Sequence, residues 1–179
     1  MKVFQKVLMA SEDVKSYLVS GVSTSVAFND GDAVVVGDLK SSEDFNVRSL
    51  TYGTGATAIV DYVGVSHGTI QGVTYREGIK TAGLSADEGE VVRCRVLAEG
   101  DTFYLASGNF TGTPAVGKFA TAAADGTWTI KTDNASTVDT DESTEAPASG
   151  LYLKIEASKN LVMGVRNADT LYFCTAHIA

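Results

Sequence analysis

Apolar and polar residues alternate along most of this chain with a period near two, in short runs closed by glycine. Successive side chains on a strand point to opposite faces, so this period predicts half-buried strands. The clearest is Glu90 to Ala98, where Val92, Cys94 and Val96 fall on one side and Val91, Arg93, Arg95 and Leu97 on the other. Thr127–Lys131 alternates around Trp128, and Phe45–Leu50 alternates Phe45 and Val47 with Asn46 and Arg48. Further short strands are read at Val14–Val19, Ala33–Val36, Thr57–Val63, Gly72–Arg76, Thr102–Leu105 and Lys118–Ala120. Leu151–Ile155, Leu161–Val165 and Thr170–Cys174 close the chain as three more. Asn29-Asp30-Gly31-Asp32, Tyr52–Gly55, Leu84–Gly89 and Asp125-Gly126 read as turns, because Gly, Asn and Asp tolerate the backbone angles turns require. Val3, Phe4, Val7 and Leu8 are spaced for a helical turn as well as for a strand, so the state of the first ten residues stays open. Short, closely spaced strands with glycine turns predict an all-β fold, a compact β-barrel or β-sandwich. Residues 1–25 are read as a flexible N-terminal arm and first strand, and 26–179 as a single β-rich domain.

Composition narrows the function classes. The chain has 179 residues, one ordinary domain or two very small ones, and 44% of them are apolar, enough to fold without metals or disulfides. Its net charge of -8, with 14 scattered Lys and Arg, argues against nucleic acid as a partner, since phosphate binding needs a basic footprint. The nearest basic pair, Arg93 and Arg95, shares one strand face, expected to be solvated. No run of about 18 apolar residues is present, so no membrane partner is expected. The first residues lack the apolar stretch of a signal peptide, which places the chain in a reducing cytoplasm with Cys94 and Cys174 as buried free thiols. Residues 133–149 carry five acids and no Lys or Arg, and read as a long solvated acidic loop.

The candidate chemistry is thin. Gly64-Val65-Ser66-His67-Gly68 has the spacing of a nucleophile elbow, but the β-branched, glycine-interrupted residues after it predict no helix, and His177 is a remote base. Gly53-Thr54-Gly55-Ala56-Thr57-Ala58 has the spacing of a dinucleotide fingerprint, but a strand follows where a helix N-terminus is required. Asp139, Asp141, Glu142 and Glu145 lack the fixed glycine and terminal Glu of a calcium loop. His67 reads as a loop residue, and Trp128 as core or interface filler. We therefore expect no catalytic residue, no cofactor and no metal.

One phrase recurs: Asp30-Gly31-Asp32 before Ala33–Val36, and Glu99-Gly100-Asp101 before Thr102–Leu105, each an acid-Gly-Asp turn, a β-run and a glycine. Two independent hairpin entries and a structural repeat both fit it. Residues 30–39 resemble the G-D-x-V-V-V-G entry of capsid decoration (cement) proteins of tailed bacteriophages. Residues 98–111, with Gly117–Ala120 and Thr127–Thr129, are similar to phrases of phage head-structural proteins. The resemblance covers about 26–131 and does not extend to the acidic loop. It implies a β-tulip-like module, a homotrimer, that binds the major capsid protein on the outside of the virion after synthesis in the host cytoplasm. The apolar positions Val3, Phe4, Val7 and Leu8 would then be the partner-binding residues, adding to a neighbour's sheet edge; the alternative is that they belong to this domain's own first strand. Other functions to separate are a tail-tube or fibre-associated domain, a carbohydrate-binding module using Trp128 and Tyr104, and a small hydrolase using Ser66.

Overall fold

The computed structural model describes residues 2–23, 25–40, 46–62, 66–70, 73–77, 85–86, 88–131, 147, 150–163 and 167–179. In chain order its strands are β1 Phe4–Leu8, β2 Leu18–Val22, β3 Phe28–Asn29, β4 Ala33–Leu39, β5 Val47–Thr51, β6 Ala58–Val60, β7 Ser66–Ile70 and β8 Val73–Glu77. They continue with β9 Ser85–Ala86, β10 Val91–Val96, β11 Thr102–Ala106, β12 Phe110–Thr111, β13 Phe119–Ala122, β14 Trp128–Ile130, β15 Leu151–Met163 and β16 Asn167–Ile178. A four-residue helix, α1 (Ala10–Asp13), and a single 3-10 turn at Lys15–Tyr17 separate β1 from β2.

The expected all-β fold is present in two parts. Five strands close into a barrel in the order β10-β2-β5-β4-β6, and seven form a sheet in the order β1-β11-β16-β15-β13-β14-β12. The barrel interior holds Phe28, Val34, Leu50, Ala58, Val60, Val92 and Cys94. A second core packs the outward-facing Ala33, Ile59 and Leu97 of the barrel side against Phe4, Phe103, Leu105, Trp128, Leu153 and Ile155 of the sheet. Strand alternation makes this possible: in β6, Ala58 and Val60 face into the barrel while Ile59 faces the sheet.

Several expectations change. The chain's end is not three short strands but the long hairpin β15–β16, in register from Leu151↔Ile178 to Met163↔Asn167 with a bulge between Ile155 and Ala157. Continuous pairing carries the strands through polar positions that the alternation read as breaks. Val14–Tyr17 is not strand but the end of α1 and the 3-10 turn, and β2 starts at Leu18. Ser85–Ala86, read as part of a turn, pairs with Phe28–Asn29. The first residues are tied down as β1, which pairs antiparallel with β11 from Phe4↔Leu105 to Leu8↔Thr102. Arg93 is exposed as expected, but Arg95 on the same face is only 5% exposed. Apart from Pro147, the loop at 133–149 lies outside the described residues, as do Phe45 and Val63.

Candidate functional site

The two acid-Gly-Asp phrases build one and the same unit. In the first, Gly31 at φ +82° donates to Val60 O, and the Val60 N–H donates to Asp32 O, both at 2.9 Å. Asp32 Oδ2 accepts the Asn29 N–H at 2.8 Å and Asp30 Oδ1 accepts the Tyr62 N–H at 3.1 Å. In the second, Gly100 at φ +84° donates to Ala176 O at 2.9 Å and the Ala176 N–H donates to Asp101 O at 2.8 Å. Asp101 Oδ2 accepts the Ala98 N–H at 2.9 Å and Glu99 Oε2 accepts the Ile178 N–H at 2.6 Å. Each unit thus starts a strand, β4 or β11, and staples it to an antiparallel partner, β6 or β16. Glycine is required at the turn because only it adopts that positive φ without strain.

These units also hold the N-terminal segment. Lys2 Nζ lies 2.6 Å from Asp32 Oδ1. The Val3 N–H donates to Asn109 Oδ1 at 2.9 Å, and Asn109 Nδ2 in turn donates to Asp30 O at 2.8 Å. The Phe4 N–H donates to Asp30 Oδ2 at 2.8 Å, and the Ala10 N–H to Asp101 Oδ1 at 2.7 Å. Ser11 Oγ accepts from Arg95 Nη1 at 2.8 Å while Arg95 Nε pairs with Asp61 Oδ2 at 2.8 Å. Asp30, Asp32, Asp61, Arg95, Asp101 and Asn109 are all buried. Burying a charge is costly unless it is paired and hydrogen-bonded, which explains why each faces a donor or counter-charge. Tyr52 donates to Asp32 Oδ2 at 2.6 Å, and burial together with that carboxylate pushes its hydroxyl pKa up, so it stays a donor. Trp128, fully buried, donates Nε1 to Gly31 O at 3.1 Å, which makes it core rather than an exposed platform.

The four sequence-predicted positions divide into anchors and presented residues. Phe4 is 1% exposed and its ring lies 5.5 Å from that of Phe103. Val3 accepts the Ala106 N–H at 3.0 Å. Val7 and Leu8 stand 48% and 67% exposed on β1, the last strand on its side of the sheet. Lys6 beside them pairs with Glu12. Gln5 lies opposite Tyr104, so the edge continues onto the sheet's outer face. There Tyr104 and Phe173 pair at 5.2 Å with Lys159 Nζ 3.7 Å above the Tyr104 ring. Farther along, Tyr152 packs against Phe119 and stacks on His177, whose Nδ1 lies 2.7 Å from Glu99 Oε1. The Ile178 N–H and then His177 hold the Glu99 carboxyl below its ordinary range.

Sequence reasoning missed Asp30, Asp32, Asp101, Asn109 and Arg95 as the residues that hold the N-terminal segment. The signal available was the recurrence of the acid-Gly-Asp phrase itself. The other candidates lie elsewhere. Ser66 opens β7, which pairs with β8, so a strand follows it where an elbow needs a helix. Gly53-Thr54-Gly55 turns into β6, again a strand. Among the described residues no three His, Cys, Asp or Glu are grouped to hold a metal, and no helix is long and apolar enough to cross a membrane. An open cavity of about 250 Å³ between the Thr54–Thr57 turn and Leu151 and Ile178 has no titratable residue among those lining it. Compared with known protein families, with curated proteins and with solved structures, the chain matches none.

Proposed function

We propose that this chain is a non-enzymatic virion structural protein that binds the outer surface of a tailed-phage capsid lattice and stabilises it. Its partners in this reading are the major capsid protein and further copies of itself in a homotrimer, on the virion exterior. The observation that carries it is the clamped edge strand: β1 is fixed from one side by buried anchors and presents Val7 and Leu8 at a sheet edge. An edge strand is a template for pairing with another chain, and adjacent exposed apolar side chains add area to such a contact. The resemblance of residues 30–39 and 98–111 to decoration proteins supports a capsid protein as the partner. Many weak contacts repeated over a lattice reinforce one another, so each edge can be small.

Cosedimentation of the purified protein with emptied capsids, and the heat resistance those capsids gain, is the test. Leu8→Asp should abolish cosedimentation and leave the melting temperature nearly unchanged, because Leu8 is exposed. Wild-type protein that stays in the supernatant and confers no heat resistance would overturn the reading.

A further inference from the structure

The Lys2–Asp32 contact is asymmetric at the carboxyl group. Asp32 Oδ2 accepts from three donors: the Asn29 N–H at 2.8 Å, Asn29 Nδ2 at 3.1 Å and the Tyr52 hydroxyl at 2.6 Å. Oδ1 faces the Lys2 amine, with Nζ at 2.6 Å. Donors converging on one oxygen stabilise negative charge that develops there, as in an oxyanion hole. The other oxygen is then the one placed to depart, and a nitrogen nucleophile stands against it. The Asp32 side chain has no exposed surface, and that of Lys2 is 21% exposed. The turn that carries Asp32 is covered by Phe4, whose N–H donates to Asp30, and by Trp128, whose Nε1 donates to Gly31 O. Bulk water therefore does not compete with the amine at this carboxyl group. A buried pair of charges also carries a desolvation cost that a neutral amide does not. A second carboxylate feels the same amine: Thr127 holds the Asp125 carboxyl below its ordinary range, and the Lys2 charge adds to this.

We propose that Lys2 and Asp32 condense to an isopeptide bond, which fastens the N-terminal segment covalently to the turn before β4. The Lys2 ammonium passes one proton to Asp32 Oδ1 across their contact. The freed lone pair on Nζ attacks Cγ, and the carbonyl pair moves onto Oδ2, where the three donors hold it. Asp125 takes a further proton from Nζ and returns it to Oδ1. The pair on Oδ2 returns, the Cγ–Oδ1 bond breaks, and Oδ1 leaves as water with both protons. An ammonium and a carboxylate thus become one amide and one water, with no oxidant, cofactor or other reactant. Holding amine and carboxyl in one fixed contact supplies the proximity the step needs. The bond joins residues 30 apart in sequence. It ties down the segment that carries the exposed Val7 and Leu8, so a pull on β1 is borne by a covalent link as well as by hydrogen bonds. The proposal stands apart from capsid binding and does not depend on it.

Intact-mass spectrometry of the purified full-length protein under denaturing conditions tests it. The expected mass is about 18 Da, one water, below that of the sequence. Trypsin should then release the peptide ending at Lys6 joined to residues 16–40, with fragmentation placing the branch at Lys2 and Asp32. Lys2→Arg keeps the positive charge beside Asp32 but has no primary amine, so it should fold and show the full mass. Wild-type protein at full mass overturns the proposal. An 18 Da loss that persists in Lys2→Arg, without the branched peptide, marks a succinimide at an Asp-Gly pair such as Asp30-Gly31 and overturns it too. Capsid cosedimentation is a separate readout, so loss of one reading leaves the other standing.

Discussion

Removing the Arg95 guanidinium while keeping the aliphatic stem is the sharpest probe of how the N-terminal strap, residues 2–11, is held. Arg95 Nε lies 2.8 Å from Asp61 Oδ2, its Nη1 lies 2.8 Å from Ser11 Oγ, and the residue is 5% exposed. Arg95→Met keeps the aliphatic stem and deletes the charge. The Asp61 carboxylate, 7% exposed, then stays buried without its guanidinium, and Ser11 loses its donor. Breaking one side of a buried pair costs about 3–5 kcal/mol, against a total stability of about 5–15 kcal/mol. For a chain of this size each kcal/mol lowers Tm by about 2–4 °C, so a fall of about 6–20 °C is expected. Urea titration followed by circular dichroism measures it as a lower midpoint at unchanged slope. Arg93→Met, on the same strand face but exposed, is the control and should stay within about 0.5 kcal/mol of wild type. The double variant Arg95→Met/Asp61→Leu should regain most of the loss, because a buried pair replaced by packed apolar groups is often neutral. Arg95→Met as mild as Arg93→Met would show that the guanidinium is solvated and refute the clamp.

Three other measurements address the turns, the sheet and the core. Gly31 and Gly100 share nearly the same positive φ, but a Cβ at Gly31 would lie 2.5 Å from Asn109 Nδ2 and 2.9 Å from a Leu105 methyl, whereas at Gly100 it meets nothing within 4 Å. Gly100→Ala should cost about 1–2 kcal/mol of backbone strain and Gly31→Ala clearly more, and equal losses by denaturation would contradict the packing of Asn109 over the turn. The Glu99 carboxyl titrates below its ordinary value near 4.5 when folded, so in acid the unfolded chain binds the proton more readily. Its stabilisation is present above that value and is lost as pH falls through the lower folded one; Glu99→Gln should flatten the acid limb of stability against pH, and an unchanged limb would exclude the Ile178 and His177 contacts. Burial pushes the Cys94 thiol up to about 12 and raises that of Cys174 as well. A disulfide reagent at pH 8 should therefore leave the native protein unmodified and titrate both thiols after unfolding, and rapid native labelling would place at least one of them outside the core.

Alternation alone made strands of both the barrel and the sheet legible. Val92 and Cys94 against Arg93, and Thr127–Lys131 around Trp128, behave as period-two strands with one face buried. What alternation could not register was a polar residue at a buried position. Arg95 occupies an outward-facing position, yet it is buried, with its guanidinium held between Asp61 and Ser11. Likewise, residues 2–11 give an ambiguous period because β1 buries little more than Phe4; hydrogen bonds to distant carboxylates hold it, and these leave no mark in an apolar pattern. The long hairpin was hidden for a related reason. From Glu156 to Asn160, β15 is exposed at successive positions and carries no alternation, so only pairing with β16 defines it.

The acidic balance acquires a different meaning in the structure. A charge of -8 first suggests solvated carboxylates and distance from nucleic acid. Yet Asp30, Asp32, Asp61 and Asp101 are buried, and they serve as acceptors inside the fold, three of them in the acid-Gly-Asp units. A carboxylate in a turn closes the turn on its own backbone with one oxygen and leaves the second oxygen for another chain segment. Asp32 does this toward Asn29 and Lys2, and Asp101 toward Ala98 and Ala10. The same short phrase therefore sets the entry of a strand and supplies a docking point for the strap. Using it in both halves is what brings one N-terminal segment across barrel and sheet together. Glu88-Gly89-Glu90 ahead of β10 has the same acid-Gly-acid form, with Gly89 at φ +81° donating to Ser23 O at 2.9 Å. Its glycine bonds just past the end of β2, but Glu90 is exposed, and the units that hold the N-terminal segment, residues 2–11, are the two whose closing acid is a buried Asp.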